Sequence, residues 1–219
     1  MNWIANKWGK NVWRIAGVAL FAALLTGCAN NDKKVAEEVA ATEPEEVYDR
    51  DDAVVLTPKY AEHDEALAPQ GKNTYWATNL IDGDPNTAWA VSLDRPDLKT
   101  AKQVYGPVFA VKCKKLSHVV INNGYGKSLD AYYNNARPAK VRVVAMVQGD
   151  YDIEDELLIE SPLQDTPAVQ RIDIPLDAPA NNDILYIRLD FSTAAYGGVY
   201  AGKKWNDLCV SEVEFWGFK

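Results

Sequence analysis

The chain has 219 residues, with 23 Lys+Arg against 31 Asp+Glu for a formal charge of −8, and 47% of its residues are hydrophobic. The acidic balance repels nucleic acid and argues against electrostatic attachment to anionic lipid, since both need clustered Lys and Arg. There are two His, no CxxC pair and no Cys/His cluster, which argues against zinc and thiol redox chemistry, while the apolar fraction suffices for a buried core.

The first predicted element, residues 1–27, reads as an export signal. Lys7, Lys10 and Arg14 form a positive n-region, and Ile15 to Leu25 form an apolar stretch of eleven residues, too short to span a bilayer. It ends in Leu25-Thr26-Gly27-Cys28, which resembles the lipobox of bacterial lipoproteins, where cleavage precedes a Cys that then carries lipid. The resemblance implies lipidation of Cys28 and a place in the cell envelope. With Ala29 rather than Asp following it, that place is the outer membrane in a Gram-negative cell. Removal of the signal takes away three basic and no acidic groups, moving the charge from −8 to −11.

Residues 28–52 are rich in Ala, Glu, Val and Asp, with Glu37, Glu38, Glu43, Glu45, Glu46, Asp49, Asp51 and Asp52 and almost no large apolar side chains. Such a stretch cannot bury enough surface to order itself and reads as a solvated tether. Residues 53–219 suit one domain.

Early in that domain stands Asn79-Leu-Ile-Asp-Gly-Asp-Pro-Asn-Thr-Ala-Trp89. Gly83 admits a positive φ, Pro85 holds Asp84 extended, and two carboxylates therefore project from a rigid bend. Asp82, Asp84 and the Thr87 hydroxyl are hard oxygen donors of the kind that hold Ca²⁺; the other reading is a capped tight turn with Trp89 in the core behind it.

The rest reads as strands. Val108 to Cys113, Leu116 to Asn122, Leu157 to Glu160 and Val169 to Ile174 are short apolar runs. Val141, Val143, Ala145 and Val147 alternate with Arg142, Val144, Met146 and Gln148, and Leu185, Ile187, Leu189 and Phe191 alternate with Tyr186, Arg188 and Asp190. Val213 and Phe215 face away from Glu212, Glu214 and Trp216, although Trp216, like Trp89, is assigned to the core. Period two with one apolar face predicts an all-β sandwich, and no amphipathic helix of convincing length interrupts it. Cys113 and Cys209 remain after Cys28. In an exported chain they either form a disulfide that closes a long loop, stabilising by about 4 kcal/mol, or stay as two buried thiols.

Three separated segments carry a more specific likeness: Asp82-Gly-Asp-Pro-Asn-Thr-Ala-Trp89, then Asn122-Asn-Gly-Tyr-Gly-Lys-Ser128 with Tyr132-Tyr-Asn-Asn-Ala-Arg-Pro138, and finally Val210-Ser-Glu-Val-Glu-Phe-Trp-Gly217. In this order, over residues 60 to 219, the chain resembles the discoidin or coagulation-factor C-type domains of the galactose-binding-like jelly-roll fold, and within them the NADase-type glycan-binding domain. The resemblance implies binding rather than turnover. It implies a structural Ca²⁺ held by Asp82, Asp84, Thr87 and Glu212, clipping the two ends of the domain together; Ala88 stands where many relatives carry a basic residue. It also implies ligand recognition by aromatic and polar side chains on loops at one end of the sandwich, for which this chain offers Trp76, Tyr125, Tyr132, Tyr133, Asn135, Arg137, Tyr196, Tyr200 and Trp205, with Tyr75 beside Trp76.

No G-x-S-x-G, H-E-x-x-H or phosphate loop is present, and His63 and His118 fall in an acidic loop and a strand. The expectation is a non-catalytic, lipid-anchored module that binds a carbohydrate of the envelope or beyond. The alternative is an envelope adaptor that grips a protein partner with the same loops.

Overall fold

The computed structural model describes residues 46–63, 65–197 and 205–219. The predicted signal, Cys28, most of the tether and Tyr200 lie outside the described residues.

Among the described residues the strands are, in chain order, β1 (Val54–Leu56), β2 (Ala61–Glu62), β3 (Trp89–Ser92), β4 (Gln103–Val104), β5 (Val108–Phe109), β6 (Lys115–Asn123), β7 (Arg137–Pro138), β8 (Lys140–Gln148), β9 (Ile153–Pro162), β10 (Gln170–Asp173), β11 (Ile184–Ser192), β12 (Ala195–Tyr196) and β13 (Asp207–Phe218). One antiparallel sheet runs β1-β13-β6-β10, with β3 also on β13; the other runs β2-β5-β11-β8-β9, with β4 also on β11. A small β12-β7 ribbon lies apart. Single-faced alternation is what makes two sheets close on each other, and the core is built that way. Val141, Val143, Ala145, Ile187, Leu189 and Phe191 from one sheet meet Leu116, Val119, Ile121, Val213 and Phe215 from the other, all buried in one cluster. This is the jelly-roll β-sandwich that the periodicities and the resemblance predict.

Two expectations change and one open alternative is decided. First, residues 46–52 are not free tether but lie on the sandwich, and the compact unit begins at Glu45. Tyr48 packs on Phe218 with ring centroids 4.8 Å apart, the Lys115 ammonium stands 5.4 Å from the Tyr48 ring, and the Arg50 guanidinium donates to the carbonyls of Ser117 and Ile174. Composition concealed this because the holding is done by single side chains, Tyr48, Arg50 and Glu46, the last paired with Lys114 at 3.1 Å, rather than by an apolar run. Second, Trp216 is not core. Strand parity sends Val213 and Phe215 inward and Trp216 outward, where it stacks on His118 at 5.3 Å and donates from Nε1 to Glu214. Third, Cys113 and Cys209 are both free and buried. Lys115 pairs with Phe218 at one end of β13 while Cys209 sits at the other, a separation of roughly 30 Å at strand rise, far beyond disulfide reach.

Candidate functional site

One end of the sandwich gathers the Asp-rich loop, the segment after β6 and the head of β13. The loop is built as sequence chemistry dictates. Gly83 takes φ +76°, a conformation costly for residues with a Cβ. Asp82 Oδ1 accepts from the Asp84 amide at 2.9 Å, and Asp84 Oδ1 accepts from the Asn86 backbone and side-chain amides at 2.9 and 2.7 Å. These are two successive Asx turns, and the Asn86 donors hold the Asp84 carboxyl below its usual range.

Thr87 Oγ1 lies among four oxygens: Asp82 Oδ2 at 2.9 Å and Oδ1 at 3.2 Å, the Asp84 carbonyl at 3.0 Å and the Asn79 carbonyl at 3.4 Å. A hydroxyl has one proton, so it cannot donate to all four. Glu212 reaches this group from β13. Burial first, and then the facing Asp82 carboxyl, push its pKa up to about 7, against the pull of the Gly83 and Asp84 amides. Its Oε1 is buried without a hydrogen-bond partner. Two like charges, an orphaned oxygen and converging carbonyl and hydroxyl oxygens form a donor set that fits a hard divalent cation. Asp84 differs from expectation, because its carboxylate is turned to Asn86 and only its carbonyl faces the group. Among the described residues no cluster of three or more His, Cys, Asp or Glu could hold a metal, so a cation here would depend on Thr87 and backbone oxygens as much as on Asp82 and Glu212.

Beside the loop is a pocket of about 320 Å³. Tyr75 and Tyr125 form one wall, edge to face at 6.2 Å, and Trp205, 39% exposed, lines it as well. Polar groups complete it: Asn135, Lys127, Asp130 and Asp207. Lys127 Nζ is held by Asn73 Oδ1 at 2.8 Å. Burial raises the Asp207 pKa, opposed by a hydrogen bond from Ser92. Part of the lining, Asp130 and Ala131, comes from a short helix, α1 (Leu129–Asn134), whose first turn is capped by the Ser128 hydroxyl accepting from the Ala131 amide at 3.0 Å.

The predicted recognition residues divide. Tyr125, Asn135 and Trp205 line the pocket. Tyr132 and Arg137 do not line it and are buried at 1% and 2% exposure. The Arg137 guanidinium pairs with Asp165 at 2.7 Å, donates to the carbonyls of Tyr132 and Asn135, and lies 4.6 Å from the Tyr132 ring, so it supports the loop from inside. Tyr133 packs edge-on against Tyr132; Tyr196 pairs with Arg137 in the ribbon; Trp76 is exposed at the head of a 3-10 turn, Ala77–Leu80. None of these three lines the pocket. Lys127, Asp130 and Asp207 went unpredicted. The cap Ser128 was a local signal for Asp130 alone, because it announces the helix that carries it.

Two packed antiparallel sheets, with the Asp-rich loop and the pocket gathered at one end, fit the F5/8 type C kind of β-sandwich. Residues 53–216 match the family model of the NAD glycohydrolase translocation F5/8 type C domain, and the chain belongs to that family. A search of curated proteins finds no match. Solved structures similar to it include a family 32 carbohydrate-binding module of Clostridium perfringens in complex with GalNAc-β-1,3-galactose (14% identity, 76% of this chain and 100% of that one, TM-score 0.47). Another is the family 32 module of Streptococcus pneumoniae EndoD (10% identity, 75% and 99%, TM-score 0.48). A third is an F5/8 type C domain of Bacteroides fragilis (12% identity, 78% and 95%, TM-score 0.43).

Proposed function

We propose that this protein is a non-catalytic carbohydrate-binding module, anchored by lipid on Cys28 and displayed in the bacterial envelope, that recognises a glycan in the pocket between Tyr75, Tyr125 and Trp205. The observation that carries the reading is that pocket: aromatic rings set among an amide, an ammonium and two carboxylates, in a concavity the size of one or two sugar rings. Aromatic faces stack on the CH surfaces of sugars while amides and charged groups orient the hydroxyls. Structural Ca²⁺ belongs to the same reading, with Asp82, Glu212, Thr87 and the Asp84 carbonyl as its ligands. The crowding of oxygens around Thr87 and the orphaned Glu212 Oε1 support it, and the role of the ion would be to tie the early loop to the last strand.

The test is binding of residues 45–219 to a broad glycan array with and without Ca²⁺, followed by calorimetry on hits. Tyr125→Ala and Trp205→Ala are expected to weaken the best hit by about tenfold or more each, and Trp76→Ala to leave it unchanged. A well-folded sample that binds no glycan would overturn the reading in favour of a protein-binding adaptor.

A further inference from the structure

The carboxylate loop and the pocket share one turn. Tyr125, whose ring lines the pocket, sits between Gly124 and Gly126. The hydroxyl of Ser211, wholly buried on β13, accepts from the Gly126 amide at 2.8 Å and donates to the Gly124 carbonyl at 3.0 Å. A single oxygen therefore closes the turn on both sides of Tyr125. Ser211 is also the residue before Glu212, so the group that holds the turn and the carboxylate that faces Asp82 are consecutive on one strand.

The Asp-rich loop presses on the same turn from the other side. A Cβ built on Gly126 would stand 2.6 Å from the Pro85 carbonyl oxygen, so the two backbones touch and only glycine fits. The turn cannot retreat: a Cβ on Gly124 would meet Tyr132 at 2.7 Å and Arg137 at 2.8 Å, both fixed in the interior.

We propose that Ser211 is a positioning residue that couples the two sites, so that a cation held between Asp82 and Glu212 and a ligand in the Tyr125 pocket each strengthen the binding of the other. The inference rests on the proposed reading of both sites. Without a cation no ion bridges the Asp82 and Glu212 side chains, which leaves the loop freer to part from the head of β13. Parting moves Pro85 and Ser211, the two groups that hold the Tyr125 turn. A cation draws loop and strand together and fixes the ring in its place in the wall. Binding linkage is reciprocal, so a ligand that needs the fixed ring favours the closed loop to the same extent.

The experiment is a Ca²⁺ titration of isotopically labelled residues 45–219, followed amide by amide in NMR spectra with no sugar present. The amides of Gly124, Tyr125 and Gly126 are expected to shift along the same saturation curve as those of Gly83, Asp84 and Thr87. Movement in the loop with a stationary turn would overturn the coupling, and no movement in either would overturn the calcium reading together with it. In Ser211→Ala the loop amides should still titrate while the turn loses most of its shift; Ser211→Cys, closer in volume and a weaker hydrogen-bonding group, makes the same comparison if the alanine variant fails to fold. With the best sugar from the array, removal of Ca²⁺ by chelator should weaken binding by about fivefold or more, and Ser211→Ala should shrink that gap. Equal affinities would overturn the coupling and leave the pocket reading standing. If no sugar binds, the pocket reading falls while the amide titration still decides the link through Ser211.

Discussion

The most consequential single residue is Glu212. An ordinary Glu side chain in the unfolded chain ionises near 4.3, whereas the folded group is pushed up to about 7. Below the unfolded value both states carry the proton and there is no penalty. As pH rises from about 4.5 to 7 the unfolded chain releases the proton first, so the fold loses stability over that window and stays at the lower level above it. Melting curves in chelator should therefore show a falling Tm across this range. Added Ca²⁺ should raise Tm most at the upper end, because the ion binds the deprotonated carboxyl and must displace the proton below about pH 7. Glu212→Gln is expected to flatten the pH profile and remove the response to Ca²⁺. A Tm indifferent to chelator and Ca²⁺ alike would refute the cation site.

At the scale of elements, Arg137 shows how a residue of recognition type becomes a structural one. It enters β7 behind the loop that carries Tyr132 and Asn135, and its guanidinium satisfies Asp165 and two carbonyls. Arg137→Ala would leave the Tyr132 and Asn135 carbonyls unpaired in a buried place and strip the partly exposed Asp165 of its partner, at an expected cost of about 2–4 kcal/mol in urea unfolding. The strap formed by residues 46–52 is a second element that composition hid. Replacing Tyr48 and Arg50 together by Ala should cost about 1–2 kcal/mol, a Tm lower by roughly 2–8 °C, with rapid amide exchange confined to residues 46–52. The strands themselves were legible wherever one face is buried, as in β8, β11 and the second half of β13. The first half of β9 was not, because Ile153 to Leu157 is exposed throughout and so has no apolar face to reveal it. It is an edge strand carrying Glu154, Asp155 and Glu156, and charges there discourage pairing with another chain.

Over the whole molecule, β13 sets the polarity. Its start, Asp207, lies at the pocket, and its end, Phe218, packs on Tyr48 of the strap, so strap and pocket lie about 35 Å of strand apart. Cys28→Ser is expected to move the protein from the membrane fraction to the soluble fraction on cell fractionation while leaving glycan affinity of the folded unit unchanged. Retention in the membrane fraction would refute the lipid anchor.

What the sequence determined by itself is local: the parity of each half-buried strand, the bend at Asp82-Gly-Asp-Pro85, and the sandwich class. Each depends on neighbours within a few residues, where period and backbone preference decide. Tertiary structure alone decided which of these pieces meet. Glu212 faces Asp82 across 130 positions, Trp205 stands by Tyr125, Cys113 and Cys209 stay apart, and Trp216 points outward. Such outcomes depend on long-range strand register, in which a shift of one residue turns every side chain to the other face. Aromatic and Arg side chains suit an interior as well as a pocket wall, so their types alone could not separate Tyr132 and Arg137 from Tyr125 and Trp205.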